Sequence, residues 1–325
     1  MQRAVVLVVV ALGLGAACQP RPASGRPRPD VAAPWEMPHR PFCSGSYTFL
    51  PAVKGHLEGD ALVEVSGVVA SPSNPAVLWM HNDSGDSARL FAVSVDGAAL
   101  GELLLDDVAA EDIEDIAAAP CPDRSGPCLW VADTGDNDQL RDDAVVYAVP
   151  EPAVGPSRPL DGAVARELWR FSVTYPGGPV NSEALVVLPD GSGFLLFEKT
   201  AAPEARVFRS PAPLVDGPLL LEEIAHVTSP GVDIEHGRKI TGADLHPSGR
   251  ALVVRVYTGV FEYRLSGLDD LERLSELEPV TVTFGPLDEP QGEAVAYDEL
   301  GVGIWSLSED PDNNGGQPLH HYLCE

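Results

Sequence analysis

Short apolar runs separated by turn residues recur along most of the chain. The clearest unit spans residues 112–137: a strand that starts beside carboxylates, a turn, the apolar strand Leu129–Asp133, and an acidic loop that contains Gly135. Weaker copies begin near residues 65, 182, 241 and 292, at intervals of roughly 50 to 70 residues. Apolar runs this short, bounded by Gly, Pro, Asn and Asp, are typical of β-strands. Repeats of this length built from short strands predict the blades of a β-propeller.

We therefore predict an all-β domain over residues 42–325, with five blades of four strands each. A sixth blade would have to lie in the longer interval between Glu114 and Glu183. The last repeat supplies only three strands, and the segment Tyr47–Val53 offers the missing outer strand. Pairing of this segment with the C-terminal strand would close the ring and leave no open sheet edge. The pattern also predicts one strand over Leu219–Val227 and a short helix over Leu268–Glu276.

The first 18 residues have the composition of an export signal. Arg3 is followed by the apolar run Ala4–Leu14, which is too short to span a bilayer comfortably. Small residues then precede Cys18, and this junction resembles the lipobox of bacterial lipoproteins, which implies acylation of Cys18 and a membrane anchor. Residues 19–41 are rich in Pro and Arg and are expected to form a disordered tether. The alternative is an ordinary signal peptide with an incidental cysteine.

By the same resemblance, Gln19 directly after the cysteine favours the outer membrane if the source is Gram-negative. Export would place the other four cysteines in an oxidising compartment. Cys121 and Cys128 flank a turn-rich loop that brings them back together. Subtraction then leaves Cys43 and Cys324, and closure of the ring would independently place these two residues side by side. We predict disulfides Cys121–Cys128 and Cys43–Cys324.

The charge of the chain is strongly negative, because 49 Asp and Glu residues face 21 Lys and Arg residues for a formal net charge of −28. Such a surface repels phosphate backbones, so we expect no nucleic-acid partner. It favours cations, or keeps an exported protein soluble and monomeric. In a propeller, the loops after each second strand and between blades share one face. The sequence does not identify the small molecule or protein that this face would bind.

Three glutamates occupy one repeat position, at the start of the innermost strand: Glu114, Glu183 and Glu293. Carboxylates that converge on an axis repel one another and raise their pKa values unless a cation lies among them. Oxygen-only ligands suit Ca²⁺, and the loops after second strands add Asp133 and Asn137 on the same face. These five residues are our candidate calcium ligands.

Two alternatives need no metal. Each glutamate could accept backbone N–H bonds from the adjacent blade, or Lys199, Arg238 and Lys239 could supply the positive charge at the axis. A further acidic loop, which begins at Asp310, matches the first half of an EF-hand loop. Its twelfth position is His321 in place of the bidentate glutamate, so a plain turn is favoured there.

The amino-acid sequence of the repeats resembles that of a group of secreted bacterial propellers, the phytase-like, esterase-like and gluconolactonase-like proteins. The residues that carry the resemblance are Glu-Asp-Ile-Ala at 114–117, Leu-Trp at 129–130 and Asp-Thr-Gly-Asp-Asn at 133–137. The resemblance implies a carboxylate-lined, often calcium-bearing channel and, in some members, hydrolysis by a metal-activated water. The sequence contains no Gly-x-Ser-x-Gly elbow and no Gly-rich phosphate loop.

We expect a cell-envelope lipoprotein that acts as a binding or scaffold module. The alternative is a Ca²⁺-dependent hydrolase of a phosphate ester, a lactone or a glycoside. Its acid/base pair would be Glu114 and Glu183, provided that the two carboxyl groups lie about 5–10 Å apart.

Overall fold

A computed structural model of the chain describes residues 43–48, 52–59, 61–232, 236–284, 289, 291–310 and 315–325. The predicted signal peptide, the tether and Cys18 lie outside these residues. Within the described part no helix is long and apolar enough to cross a membrane. The predicted short helix over Leu268–Glu276 is present as a 3-10 helix and packs against the outer strand of the third blade.

Five separate β-sheets are arranged as the five predicted blades, and their innermost strands pack on one another in a closed cycle. Blade one contains β2 (Val65–Ala70), β3 (Val77–Asn82), β4 (Arg89–Ser94) and β5 (Ala99–Leu105). Blade two contains β6 (Ile113–Pro120), β7 (Pro127–Asp133), β8 (Val145–Pro150) and β10 (Trp169–Thr174). Blade three contains β11 (Ser182–Val187), β12 (Phe194–Glu198), β13 (Glu204–Arg209) and β15 (Glu222–Thr228). Blade four contains β16 (Ile240–Leu245), β17 (Ala251–Val256), β18 (Gly259–Arg264) and β19 (Val280–Phe284).

Blade five is assembled from both ends of the described chain, as predicted. Its strands are β20 (Gly292–Tyr297), β21 (Gly303–Ser308), β22 (Pro318–Leu323) and β1 (Ala52–His56). β1 pairs antiparallel with β22, and Tyr47 makes an isolated bridge to Cys324. The regular outer strand therefore begins at Ala52, later than the predicted start at Tyr47.

Both predicted disulfides are confirmed. Cys43 and Cys324 are bonded with a Cα–Cα distance of 5.5 Å across a sequence separation of 281 residues. Cys121 and Cys128 are bonded across the loop between β6 and β7, with a Cα–Cα distance of 4.9 Å. Disulfides of this kind are compatible with an exported protein.

Two short parallel strands extend blades one and two. β9 (Ala163–Ala165) leaves the long β8–β10 connection and pairs with β5, so this connection accounts for the long interval without a sixth blade. β14 (Gly217–Leu220) pairs with β10, although it precedes β15 of blade three. The prediction of one strand over residues 219–227 was therefore wrong. The predicted strand is interrupted at Leu221. The side chain of Leu221 is buried, and its N–H donates to the carbonyl of Thr174 in blade two.

Burial falls from the axis outward. The second strands β3 and β17 and the inner strands β11 and β20 are buried along their whole length, since both of their faces contact neighbouring blades. The outer strand β10 alternates between buried and exposed positions instead. Trp130 on β7 shows how the blades pack, because it stacks on Phe171 of its own blade at 5.7 Å and contacts Phe194 of the next blade. The core thus lies between blades.

Candidate functional site

All five innermost strands carry the same irregularity near their first residue. In each strand the pairing with the neighbouring second strand skips one residue, which is a β-bulge. A bulge leaves its extra residue outside the ladder and re-aims that side chain. The skipped residues are Ser66, Glu114, Glu183, Thr241 and Glu293. The shared position of the three predicted glutamates is therefore produced by one backbone feature repeated around the ring.

The two hydroxyl residues at the bulges join neighbouring blades. Ser66 Oγ donates to the backbone carbonyl of Glu114 at 2.8 Å, which ties blade one to blade two. Thr241 Oγ1 donates to the backbone carbonyl of Gly292 at 2.9 Å, which ties blade four to blade five. The short hydroxyl side chains at this position thus form hydrogen bonds between blades, whereas the longer glutamate side chains extend beyond the contact between blades.

The glutamates are almost completely buried, yet the hydrogen bonds described for them come from side chains. Asn181 Nδ2 donates to Glu183 Oε1 at 3.0 Å, and Gln291 Nε2 donates to Glu293 Oε1 at 3.3 Å. Gln291 also bonds Glu309, which links Glu293 to a second carboxylate. Amide side chains from the segments between blades therefore hold the carboxylates in place.

Lys199 places an ammonium group among these glutamates. It follows β12, forms an ion pair with Glu183, and lies 5.3 Å from the ring centroid of Tyr257. Burial acts to lower the pKa of Lys199, but the carboxylates of Glu183, Glu293 and Glu114 outweigh burial and leave the pKa raised. Lys199 is therefore a permanent cation at this position. Of the basic residues considered in the sequence, it is the one whose described contacts reach the glutamates.

A second set of carboxylates lies beside Glu114. Ligand oxygens of Asp83, Asp112 and Glu114 all lie within 4.8 Å of one another. Two oxygens on opposite sides of one Ca²⁺ ion are separated by about 4.6–5.2 Å, twice the usual Ca–O distance, so the three groups can share a cation. Gly135 faces the same place, and a Cβ atom there would collide with the carboxylate oxygens of Glu114 and Asp112.

We call this end of the ring the acidic mouth. It comprises six carboxyl groups and one ammonium group, from Asp83, Asp112, Glu114, Glu183, Glu293, Glu309 and Lys199.

Burial and repulsion hold protons on the acidic mouth. Burial, with added repulsion from Asp83, raises the pKa of both Asp112 and Glu309 to about 7. The pKa values of Glu114 and Glu293 lie well above the usual range of a glutamate, chiefly because both side chains are buried. Part of the cluster is consequently protonated at neutral pH, and a bound cation would displace those protons.

Glu293 carries an unused acceptor. Glu293 is only 3% exposed, and its buried Oε2 atom has no hydrogen-bond partner within the described residues. A buried carboxylate oxygen without a partner is costly. This atom is therefore a free acceptor at the acidic mouth within the described residues.

The other two predicted ligands lie one contact away from the cluster. Asp133 accepts the backbone N–H of Asp112 at 3.0 Å and forms an ion pair with Arg141 at 3.0 Å. Asn137 Oδ1 accepts a hydrogen bond from Asn181 Nδ2 at 3.2 Å. Asp133 thus positions the segment that bears Asp112, and Asn137 supports the amide that holds the glutamate of blade three.

Sequence reasoning did not select Asp83, Asp112 or Glu309 as ligands. All three lie in the loops that were expected to share one face of the ring. That expected shared face was the sequence signal that could have identified them. Positions 311–314 of the EF-hand-like loop lie outside the described residues. On either side of these positions, Gly315 N–H donates to Asp310 Oδ2 at 2.7 Å.

The opposite end of the ring has a different composition. The inner strands end there, and the hairpins that follow them enclose a cavity of about 320 Å³ lined largely by apolar residues and prolines. We call it the proline mouth. Across an inner strand of six residues, the two mouths are separated by about 15 Å.

No protein-family model and no curated protein matches the chain. Among solved structures, it is similar to a chain of the Mitotic Checkpoint Complex crystal structure, with 12% identity and a TM-score of 0.37 over 80% of this chain and 64% of that one. It is also similar to the hydrazine synthase of Kuenenia stuttgartiensis, with 11% identity and a TM-score of 0.42 over 80% of this chain and 83% of that one. This chain thus spans just under two thirds of the checkpoint chain. Identities this low bear on fold alone, and the propeller assignment rests on the strand pairing described above.

Proposed function

We propose that this chain is an exported binding module that holds Ca²⁺ at its acidic mouth. The observation that carries the proposal is the group Asp83, Asp112 and Glu114, whose ligand oxygens lie within 4.8 Å of one another, together with the unpartnered Oε2 of Glu293. Acylation of Cys18 and the tether of residues 19–41 would anchor the module to the cell envelope.

Electrostatics support a bound cation. Two unit charges about 5 Å apart repel by roughly 3 kcal/mol at an effective dielectric constant near 20, so several carboxylates in one mouth need compensation. Lys199 compensates one of them through its ion pair with Glu183. Protonation compensates others, as the raised pKa values of Glu114 and Asp112 indicate. Ca²⁺ would replace both protons with one ion that prefers oxygen ligands.

Calorimetric titration of the purified protein with CaCl₂ tests this proposal. Binding should release protons, so the apparent enthalpy at pH 7 should depend on the ionisation enthalpy of the buffer. At about 100 times Kd, Ca²⁺ should stabilise the fold by roughly 2.7 kcal/mol. Glu114→Gln should remove both effects, whereas Glu276→Gln on the 3-10 helix, an exposed carboxylate outside the mouth, should leave them unchanged. A melting temperature indifferent to calcium and chelator in the unmodified protein contradicts the proposal.

A hydrolase is the second candidate, and one observation favours it. Burial raises the pKa of both Glu114 and Glu183. Lys199 and Asn181 counteract this rise at Glu183, while the pKa of Glu114 lies well above its usual range. In a glycosidase-type acid/base pair, a protonated carboxyl group acts as the general acid and an ionised carboxylate acts as the base. Glu114 would take the first role, and Glu183, paired with Lys199, the second. The resemblance to secreted propeller hydrolases points the same way.

The two candidates give different results with chromogenic phosphate esters, lactones and glycosides. A hydrolase should turn over at least one of them, lose the activity with chelator, and lose it in Glu183→Gln. A binding module should show calcium-dependent stabilisation without turnover.

A further inference from the structure

The cavity in the proline mouth is a second candidate site, separate from the acidic mouth and independent of the function proposed for it. Its wall is formed by the last residues of all five inner strands and by the hairpins that follow. At about 320 Å³ it falls at the lower end of the size range of small-molecule sites.

Prolines set the chemistry of the wall. Six of the lining residues are prolines, which lack a backbone N–H and are conformationally rigid. A wall of this kind presents apolar surface and carbonyl acceptors but few donors. The prolines are Pro72, Pro75, Pro120, Pro127, Pro189 and Pro247.

Most polar side chains of the wall are already engaged. Ser71, Ser73 and Asn74 all donate to the carboxylate of Glu151. These residues therefore have part of their hydrogen-bonding capacity satisfied by the protein.

The acidic residues on the opposite side of the wall are also bonded. Asp298 pairs with His321 at 3.1 Å and accepts the N–H groups of Leu300 and Val302. Glu299 accepts the N–H of Ala76 at 3.0 Å.

Asp244 is the third acidic residue of the wall. It lines the cavity, and its Oδ2 accepts the backbone N–H of Tyr297 at 2.8 Å. In the described part of the chain, no basic side chain is paired with it. Burial raises the pKa of Asp244 to about 7, and the carboxyl of Asp115 lies near enough to interact with it. A positively charged group in the cavity would stabilise the ionised form.

We infer that this cavity binds a small apolar molecule that carries a protonated amine, with the carboxylate of Asp244 as the acceptor for the ammonium group. The apolar part of the ligand would lie against the prolines and against Val69, Val187 and Leu245. Charge complementarity supports the choice of an amine, because the lining includes three carboxyl side chains, Asp244, Asp298 and Glu299, and no basic side chain. A carboxylate ligand would meet only repulsion and acceptors.

The test compares three probes of nearly equal size, 4-phenylbutylamine, 4-phenylbutan-1-ol and 4-phenylbutanoate, by calorimetry and ligand-observed NMR on the full chain. We expect the amine to bind at least roughly tenfold more tightly than the alcohol, as a charge-assisted hydrogen bond would give. The carboxylate probe should not bind. Asp244→Asn should reduce amine binding to the level of the alcohol.

Two further variants keep the test decisive. Ala118→Leu, which fills the cavity from a lining position, should abolish binding of amine and alcohol alike. Glu276→Gln on the distant 3-10 helix should change neither. Equal binding of amine and alcohol to the unmodified protein, no binding of either, or a preference for the amine that survives Asp244→Asn would overturn the inference. Calcium-dependent stabilisation measured on the same variants reports on the acidic mouth separately.

Discussion

The acidic mouth and the proline mouth are built from opposite ends of the same five inner strands. At the acidic mouth each strand begins with a bulge, which moves one side chain out of the ladder. At three of the five bulges that side chain is a glutamate, and the loops add further carboxylates. At the proline mouth the strands end in tight hairpins, where prolines fix the backbone and the polar side chains bond to one another. The comparison shows that the two ends of one strand can be built differently when a bulge is confined to one end.

The largest expected effect falls on both mouths together. Replacing Cys43 and Cys324 by Ala opens the ring at blade five and should cost about 5 kcal/mol in the chain-entropy model, because the loop is long. Chemical denaturation measures the loss. The matched control is replacement of Cys121 and Cys128, whose short loop predicts about 2 kcal/mol and whose location predicts weaker amine binding with calcium binding intact. Equal losses for the two pairs would contradict the closure role of Cys43–Cys324.

A smaller effect should be confined to the proline mouth. Glu151→Ala removes the acceptor for Asn74 Nδ2 at 3.0 Å and for Trp79 Nε1 at 2.8 Å. Leaving these buried donors without a partner should lower the free energy of unfolding by about 2–3 kcal/mol. Amine binding should weaken, and the response of the melting temperature to calcium should stay the same. Loss of the calcium response would mean that the two mouths are not independent.

Gly135→Ala should disturb the acidic mouth alone. The added Cβ meets the carboxylates of Glu114 and Asp112, so we expect a destabilisation of about 1–2 kcal/mol and loss of calcium binding. Gly126→Ala is the control at the other end, since a Cβ at Gly126 meets nothing within 4 Å. Thermal unfolding with and without calcium distinguishes the two variants, and similar behaviour of both would contradict the proposed packing.

The last prediction concerns the dependence of stability on pH. Asp112 and Glu309 have pKa values of about 7 in the folded protein against about 4 in an unfolded chain. The folded state therefore binds more protons between these values, and its stability should fall as pH rises from 4 through 7. Asp112→Asn with Glu309→Gln should flatten this decline, and calcium should do the same to the unmodified protein.

His81 works in the opposite direction. Burial lowers its pKa to about 4, so its contribution to stability rises between pH 4 and 6.5. His81 is present in the unmodified protein and in the double variant Asp112→Asn, Glu309→Gln. Its contribution therefore cancels when the melting temperature of one is subtracted from that of the other at each pH. A difference that does not change with pH would refute the assignment.

The sequence was sufficient for the blades, since the inner and second strands are nearly continuous apolar runs with clear turns between them. It was sufficient for ring closure because the last repeat lacked a strand that the N-terminal segment could supply. It could not predict β9 or β14. These strands have three and four residues without apolar periodicity, and each pairs in parallel with a strand from another repeat.

The residues that the fold groups at the acidic mouth could be predicted only in part, for a related reason. Glu114, Glu183 and Glu293 recur at one repeat position, so periodicity identified them. Asp83 and Asp112 lie in irregular loops whose composition is also typical of ordinary turns, and only the folded arrangement brings them beside Glu114. Asp133 looked equivalent to them in sequence, but Arg141, a few residues further along, reaches back to its carboxylate.

Closure of blade five also determines how the domain would bear mechanical load. A force applied through residue 43 passes directly into the Cys43–Cys324 disulfide, since this bond precedes β1 in the chain and lies beyond the end of β22. The β1–β22 hydrogen bonds are therefore not stretched first, and the outer strand cannot be peeled away from either terminus. A domain tethered at its N-terminus would be pulled as a covalently closed ring, so both of its mouths would keep their shape under tension.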